Sequence, residues 1–143
     1  MINDTIDILV LTYNRKDYLD MFVRMLHLST DFPFRLIVID NGSTDGTRDH
    51  ILELEKQGTV HDHLFTDENL PLAAAFTEGF KQKVTSGLFI TVADDMIPAF
   101  TEHDWLEIFV NKMKIDGSVG SINFVAARCN FHSFIRKKLP SLI

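Results

Sequence analysis

The sequence predicts a single α/β domain of three layers, with a mainly parallel sheet and helices on both faces. Two observations predict it. Short apolar, β-branched runs such as IDILVLT and FRLIVID alternate with segments of helical periodicity, and each run is continuous enough for a strand covered on both faces. Strands that alternate with helices form parallel sheets through right-handed crossovers.

The first half of the chain predicts two strand and helix units. A helix follows the first strand from Asp17, and its apolar face consists of Leu19, Phe22, Val23, Leu26 and His27. After the second strand, Thr44 or Asp45 can cap a second helix, which ends near Gly58. The apolar residues of that second helix are Ile51, Leu52 and Leu54.

The second half continues the alternation. We predict a short strand over residues 60–65, a helix over residues 71–83 and a fourth strand in GLFITVA. DWLEIFVNKM predicts a helix with one apolar side, formed by Trp105, Ile108, Phe109 and Met113, and SVGSINFVA predicts a further strand. The spacing of Trp105 favours a core position over stacking on a sugar ring.

The composition indicates one ordinary globular domain and restricts its partners. The formal net charge of -6 argues against a nucleic-acid partner, which would need Lys and Arg, and suggests that any bound phosphate needs a metal ion. The single cysteine, Cys129, permits no internal disulfide and favours a cytoplasmic location. The tail FHSFIRKKLPSLI is either a peripheral contact with the inner membrane face or a solvated chain end, and we favour the solvated end.

Polar side chains collect after strands one, two and four, in TYNR, DNGSTDGT and ADDMIP. Because ligands of parallel sheets bind beyond the carboxyl ends of the strands, we expect the three segments to share one crevice. Asp40 closes an apolar strand and can accept a hydrogen bond from a base N–H or a ribose hydroxyl. For residues 43–47 we favour a capped turn over a role in ligand binding.

Asp94 and Asp95 end the fourth strand as adjacent carboxylates. Such a pair is unfavourable when buried unless a cation or hydrogen-bond donors compensate, and its hard oxygen ligands select Mn²⁺ or Mg²⁺. A purely structural pair is the alternative. The two imidazoles of His61 and His63 would lie on one face of a strand, but without Cys or a third nearby His we favour an exposed edge-strand pair over a zinc site.

Four segments together resemble the successive signatures of family 2 glycosyltransferases, which have the Rossmann-like GT-A fold: DILVLTYNR, LIVIDNGSTDGT, DENLPLAAAFTEGF and LFITVADDMIPA. The third segment is similar to the form found in rhamnosyl- and galactofuranosyl-transferring branches. The resemblance implies that residues 1–143 form a nucleotide-sugar-binding domain. It further implies a metal-assisted, inverting transfer from a nucleoside diphosphate sugar, UDP- or dTDP-linked, to an acceptor glycan or lipid.

The resemblance also implies roles for individual residues. Thr12, Tyr13 and Arg15 would surround the nucleotide base, and Asp40 would contact the base edge or the ribose. Asn69 would line the diphosphate side. Asp94 would face the ribose and the metal, and Asp95 would be the direct ligand of Mn²⁺ or Mg²⁺.

Three positions depart from the family's pattern: Ala93 replaces the first acid of a triplet, Asn41 replaces a second Asp, and Pro71 replaces a Gly. Because the site then has one carboxylate fewer, we expect it to bind a free metal ion weakly. The family places its catalytic base after a fifth strand, so we expect this domain to lack most of the acceptor-binding half. Glu102 and Asp104 are better suited to the start of a helix than to the role of base.

Two other functions remain open from the sequence. The first is a truncated or degenerate relative that acts as a non-catalytic nucleotide- or protein-binding module, which Ala93 and the missing C-terminal half favour. The second is a nucleotidyltransferase, which has a similar sheet and paired acids. A nucleotidyltransferase would carry a glycine-rich basic loop after the first strand, and TYNRKDY lacks the glycines.

Overall fold

The computed structural model describes residues 5–96 and 104–116 of the 143-residue chain. Strands and helices alternate throughout these residues: β1 (Ile6–Thr12), α1 (Lys16–Ser29), β2 (Phe34–Asp40), α2 (Thr47–Lys56), β3 (Asp62–Phe65), α3 (Leu72–Lys83), β4 (Phe89–Ala93) and α4 (Trp105–Ile115). None of these helices is long and apolar enough to cross a membrane. The predicted strand in SVGSINFVA and the C-terminal tail lie outside the described residues.

The strands form one sheet in the order β3-β2-β1-β4. All three pairings are parallel, with Thr12 in register with Asp40 and Leu11 in register with Ala93. The predicted parallel sheet is therefore confirmed. Because the strand order reverses between β1 and β4, the gap beyond their carboxyl ends is the topological switch point, where ligands of such sheets bind.

Side chains that alternate along the strands divide the core between the two faces of the sheet. On one face, Ile8 and Val10 of β1 pack with the buried residues of α1, α2 and α4. On the other face, Leu9 of β1 and Ile39 of β2 pack against Ala75 of α3. The connection from β3 to β4 contains α3 and crosses β2 and β1. Among the described helices, α3 alone lies on this second face, which gives the predicted three layers.

Gly79 brings α3 close to the sheet. This buried helical glycine lies against Ile39 and Leu9, and a Cβ atom at its position would overlap the Ile39 side chain. A glycine weakens a helix by about 1 kcal/mol relative to alanine. Here the absence of a side chain permits the close contact between helix and sheet.

The helices bury somewhat different faces from those predicted. In α1, Met25 is buried where the sequence suggested His27, which is exposed and whose Nε2 lies 2.8 Å from the carbonyl oxygen of Thr59. Leu52 of α2 and Ile108 of α4 are exposed. Each of these helices is apolar over a wide arc, so periodicity alone could not show which flank of the arc faces the sheet.

Two aspartates accept hydrogen bonds at the starts of α2 and α4. The N-cap of α2 is Gly46 with a φ of 90°, not Thr44 or Asp45, although an Asp45 carboxylate oxygen accepts a hydrogen bond from the Thr47 N–H at 3.1 Å. Asp104 caps α4, as expected for an acid at a helix start, and accepts from the N–H groups of Leu106 and Glu107. Trp105, next in the chain, is a core residue as predicted, and its indole N–H donates to Thr30 Oγ1 at 2.7 Å.

Candidate functional site

A cleft of about 250 Å³ lies beyond the carboxyl ends of β1, β2 and β4. Five of the seven predicted site residues line it: Thr12, Tyr13, Arg15, Asn69 and Asp94. Asn41, from the segment after β2, also lines the cleft, so the expectation that the segments after strands one, two and four share one crevice is confirmed. Asp95 lies beside the cleft through its contact with Arg15, and Asp40 lies beneath the surface.

Asp94 is a buried carboxylate held at the switch point. Its Oδ2 accepts a hydrogen bond from Thr12 Oγ1 at 2.7 Å, which joins the end of β1 to the end of β4. Burial raises the pKa of Asp94 above its usual value, although the Thr12 hydroxyl and the Arg15 guanidinium oppose this shift. Its neighbour Asp95 turns outward, with half of its side chain exposed.

One guanidinium group bridges the two carboxylates. Arg15 Nη1 is 3.3 Å from Asp94 Oδ1 and 3.3 Å from Asp95 Oδ2, and the same group lies 5.6 Å from the centre of the Tyr18 ring. The charge of Asp94 is the main reason that the pKa of Arg15 is raised. Arg15 thus faces the acidic pair, where the resemblance suggested the nucleotide base.

Asp40 is fully buried at the end of β2. Its Oδ2 accepts from Arg48 Nε at 2.8 Å and from the Ser43 N–H at 3.1 Å. Among the described residues, its Oδ1 is the one buried side-chain oxygen or nitrogen atom without a hydrogen-bond partner. A buried unpaired acceptor is costly, so this atom is suited to an N–H or O–H donor that a ligand supplies.

Asn41 fixes the loop that carries Asn69. Its Nδ2 donates to Asn69 Oδ1 and to the Leu70 carbonyl, each at 2.8 Å, and its Oδ1 accepts from the Leu70 N–H at 3.0 Å and from Thr66 Oγ1 at 3.2 Å. The two bonds to the Leu70 backbone determine which way the amide points. Asn69 therefore presents its oxygen to Asn41, and its N–H donors remain for the cleft that it lines.

These bonds require an amide at position 41, where the family that the sequence resembles commonly has an aspartate. A carboxylate cannot donate the two hydrogen bonds that Asn41 gives. Gly42 adds a second constraint on the same loop, since its φ is 85° and a Cβ atom there would lie 2.8 Å from the Glu68 carbonyl carbon. The sequence places both residues in the segment after β2 but does not identify the segment that they contact.

Sequence reasoning missed Asn14, which joins the first two loops of the site. Its φ is 50°, a left-handed conformation that asparagine tolerates better than most residues. Its N–H donates to Ser43 Oγ at 2.8 Å, and its Oδ1 accepts from the Thr44 N–H at 2.7 Å. The turn after β2 is thus tied to the turn that presents Tyr13 and Arg15. An asparagine between two residues of a predicted site was the signal available.

Asp104 is engaged in structural hydrogen bonds. Besides capping α4, its Oδ2 accepts from the Phe32 N–H at 2.8 Å and from the Asp31 N–H. Burial opposes its ionisation, but the backbone donors outweigh this effect and hold the pKa of Asp104 below its usual value. The prediction that this acid serves the helix start is confirmed. Glu102 lies outside the described residues.

The histidine pair lies at the start of the edge strand β3. His61 Nδ1 accepts a hydrogen bond from the Leu36 N–H at 3.1 Å, and burial lowers the pKa of His61. His63, Glu55 and Asp62 bring one ligand atom each within 4.8 Å of one another. However, Asp62 is already paired with Lys83 at 2.8 Å and His63 with Glu55 at 3.0 Å. The predicted edge-strand position is confirmed for His63, which is half-buried, whereas His61 is exposed and precedes the strand.

The parallel sheet and the helices on both of its faces are those of the GT-A glycosyltransferase fold. A mannosyltransferase from Pyrobaculum calidifontis, solved in complex with GDP-Man and Mn²⁺, superimposes with a TM-score of 0.74 at 22% identity, over 92% of this chain and 38% of that one. S. aureus TarS 1-349 in complex with UDP-GlcNAc gives a TM-score of 0.61 at 20% identity, over 77% and 32% of the two chains.

Sequence comparison identifies the family. Glycosyl transferase family 2 matches residues 7–138, and the chain belongs to this family. An uncharacterised glycosyltransferase of Nostoc sp. is 26% identical over 91 residues, which are 64% of this chain and 28% of the relative. The chain therefore spans less than two fifths of the length of these relatives.

Proposed function

We propose that this chain is the donor-binding domain of an inverting, metal-assisted glycosyltransferase. The donor is a nucleoside diphosphate sugar, UDP- or dTDP-linked, and the acceptor is a glycan or a lipid. The observation that carries the proposal is the cleft at the switch point, where Thr12, Asn69 and Asp94 meet. Family membership and the nucleotide-sugar complexes of the two structural neighbours support it.

The polar atoms of the cleft match the parts of such a donor. Tyr13 offers an aromatic face to the base. The unpaired Oδ1 of Asp40 can accept a hydrogen bond from the base or the ribose once neighbouring side chains move and expose it. Asn69 directs amide N–H groups towards the diphosphate side. These groups bind and orient the donor, so that its anomeric carbon is presented in a fixed position.

The acidic pair fits a divalent metal by the chemistry of its donors. Asp94 and Asp95 offer hard carboxylate oxygens, which suit Mn²⁺ or Mg²⁺. Such an ion, when bound, neutralises charge on the leaving diphosphate. In an inverting transfer, the acceptor oxygen bonds to the anomeric carbon as the bond to the diphosphate breaks, and a base takes the acceptor proton. The single cysteine suits the cytoplasm as the place of this reaction.

Calorimetric titration with UDP, dTDP, GDP and ADP, each with and without Mn²⁺, tests the donor site. We expect UDP or dTDP to bind in the presence of Mn²⁺ and the binding to be lost in Asp95→Ala. Asp49→Ala is the matched control, because it removes an exposed carboxylate on α2 that does not line the cleft. Heat of binding for none of the four nucleotides would refute the proposal. Nucleotide binding without hydrolysis of the corresponding sugar nucleotide would favour a non-catalytic binding module.

A further inference from the structure

The position of Arg15 leads to an inference that rests on the proposed function and extends it. We propose that Arg15 is the resident counter-cation of the Asp94 and Asp95 pair, that a divalent metal ion displaces it, and that the displaced guanidinium binds the diphosphate. The metal ion and the donor then favour each other's binding. The metal ion releases Arg15 for the diphosphate, and the diphosphate holds the charge of Arg15 away from the metal site. The proposal assigns Arg15 to the diphosphate and not to the base.

The geometry supports competition for the same carboxylates. A single nitrogen, Arg15 Nη1, contacts one oxygen of each aspartate at 3.3 Å. Both distances exceed those of a strong charge-assisted hydrogen bond, which are about 2.7 to 2.9 Å, so the bridge holds by charge more than by a tight bidentate fit. A divalent cation at this position would face the positive charge of Arg15 at close range.

Asp94 can exchange one cation for another without losing its hydrogen-bond donor. Its Oδ2 is bound to Thr12 at 2.7 Å, and only Oδ1 is directed to Arg15. Asp95 has half of its side chain in solvent and can turn with an incoming ion. Thr12 therefore holds Asp94 in place while Asp95 adjusts, so that one cation can replace another at the pair.

Arg15 is free to move in a way that a structural arginine is not. Half of its side chain is exposed, and it lines the cleft together with Asn69. Arg48 offers the contrast, since it is bound to fully buried Asp40 at 2.8 Å and to the Thr66 carbonyl. A diphosphate in the cleft gives the released guanidinium an anionic partner, and guanidinium groups bind phosphate oxygens in a fork geometry.

The first arm of the test measures Mn²⁺ alone, by the electron paramagnetic resonance signal of the free ion. In water, a unit charge about 6 Å from a divalent ion changes its binding by about ten-fold. Arg15→Ala should therefore bind Mn²⁺ about ten-fold more tightly than the wild type, and Arg15→Lys, which keeps the charge, should resemble the wild type. Arg24→Ala removes the same charge from an exposed ion pair on α1 and should leave Mn²⁺ binding unchanged.

The second arm measures how much UDP tightens Mn²⁺ binding. This factor should be large in the wild type and should fall several-fold in Arg15→Ala, because the diphosphate then gains no guanidinium. Equal or weaker Mn²⁺ binding by Arg15→Ala, or an unchanged UDP factor, overturns the inference even if UDP binds. If UDP and dTDP bind to no variant, the diphosphate part of the inference fails together with the proposed function. The first arm still shows whether Arg15 and Mn²⁺ compete for the two aspartates.

Discussion

Thr12 Oγ1 donates a hydrogen bond of 2.7 Å to Asp94 Oδ2 inside the protein, and this bond joins the ends of β1 and β4 at the switch point. The two residues are 82 positions apart in the chain. The bond both compensates a buried carboxylate and fixes the direction of its second oxygen. The stability of the protein and the shape of its site therefore depend on the same contact.

Replacing Thr12 by valine should destabilise the fold by about 1.5 to 3 kcal/mol, because a buried charged acceptor loses its donor while the side-chain volume is kept. Urea unfolding followed by the fluorescence of Trp105, the single tryptophan of the chain, measures the change. Thr77→Val is the control, since the Thr77 hydroxyl donates only to the Ala73 carbonyl on the exposed side of α3. An equal loss in both variants would contradict the importance of the Asp94 bond.

Replacing Asn41 by aspartate should cost about 2 to 4 kcal/mol of unfolding free energy at neutral pH. The carboxylate cannot donate to Asn69 Oδ1 or to the Leu70 carbonyl, and its charge faces both acceptors. A protonated carboxyl regains one donor, so the difference from the wild type should narrow as the pH falls towards 4. Urea titrations at several pH values measure this, and a difference independent of pH would argue against the donor role of Asn41.

Replacing Gly42 by alanine should be more damaging than replacing Gly46. Both glycines have positive φ, which costs an alanine about 1 to 2 kcal/mol. Only at Gly42 does a Cβ atom meet backbone, 2.8 Å from the Glu68 carbonyl carbon, whereas at Gly46 nothing lies within 4 Å. Overpacking adds about 1 to 3 kcal/mol, so the urea midpoints should differ clearly. Equal midpoints would mean that residues 66–70 move aside without cost.

Acid should weaken the cap of α4. The pKa of Asp104 is lowered in the folded state, because backbone donors outweigh the effect of burial, so its contribution to stability is present above the unfolded value of about 3.9. It is lost as the pH falls through the lower folded pKa. In thermal unfolding between about pH 5 and pH 2, the wild type should therefore lose stability more steeply than Asp104→Asn. Glu78→Gln, on exposed α3 surface, should keep the wild-type slope.

The sequence predicted the fold well because its signals are local. The apolar runs of β1 and β2 and the periodicity of α1 identify strands and helix without knowledge of what they contact. Parallel pairing then brings the strand ends to one edge, which is why Thr12 and Asp94 could be assigned to one cleft, whereas Asn69 was assigned to it from the family resemblance. The boundaries of the strands and helices differ from the predicted ones by a few residues. For example, β3 begins at Asp62 and not at residue 60.

The contacts within the site were not predictable in the same way. Whether Arg15 faces a base or the acidic pair depends on the direction of a long side chain after a left-handed Asn14, which no spacing determines. The bond of Arg48 to Asp40 links an exposed helix turn to a buried strand end, and the sequence showed only a basic residue near a capped turn. Resemblance supplied roles for single residues, and only the geometry shows how these polar groups are paired.

The strand order also determines when the molecule can acquire its shape during synthesis. Among the described strands, β1 is translated first and β4 last, yet β1 pairs on one side with β2 and on the other with β4. Contacts between residues far apart in sequence slow folding, because a long loop must close before they form. Until residue 93 has left the exit tunnel, β1 has no β4 to pair with, and the backbone N–H and C=O groups along that edge remain open to other strands or to chaperones.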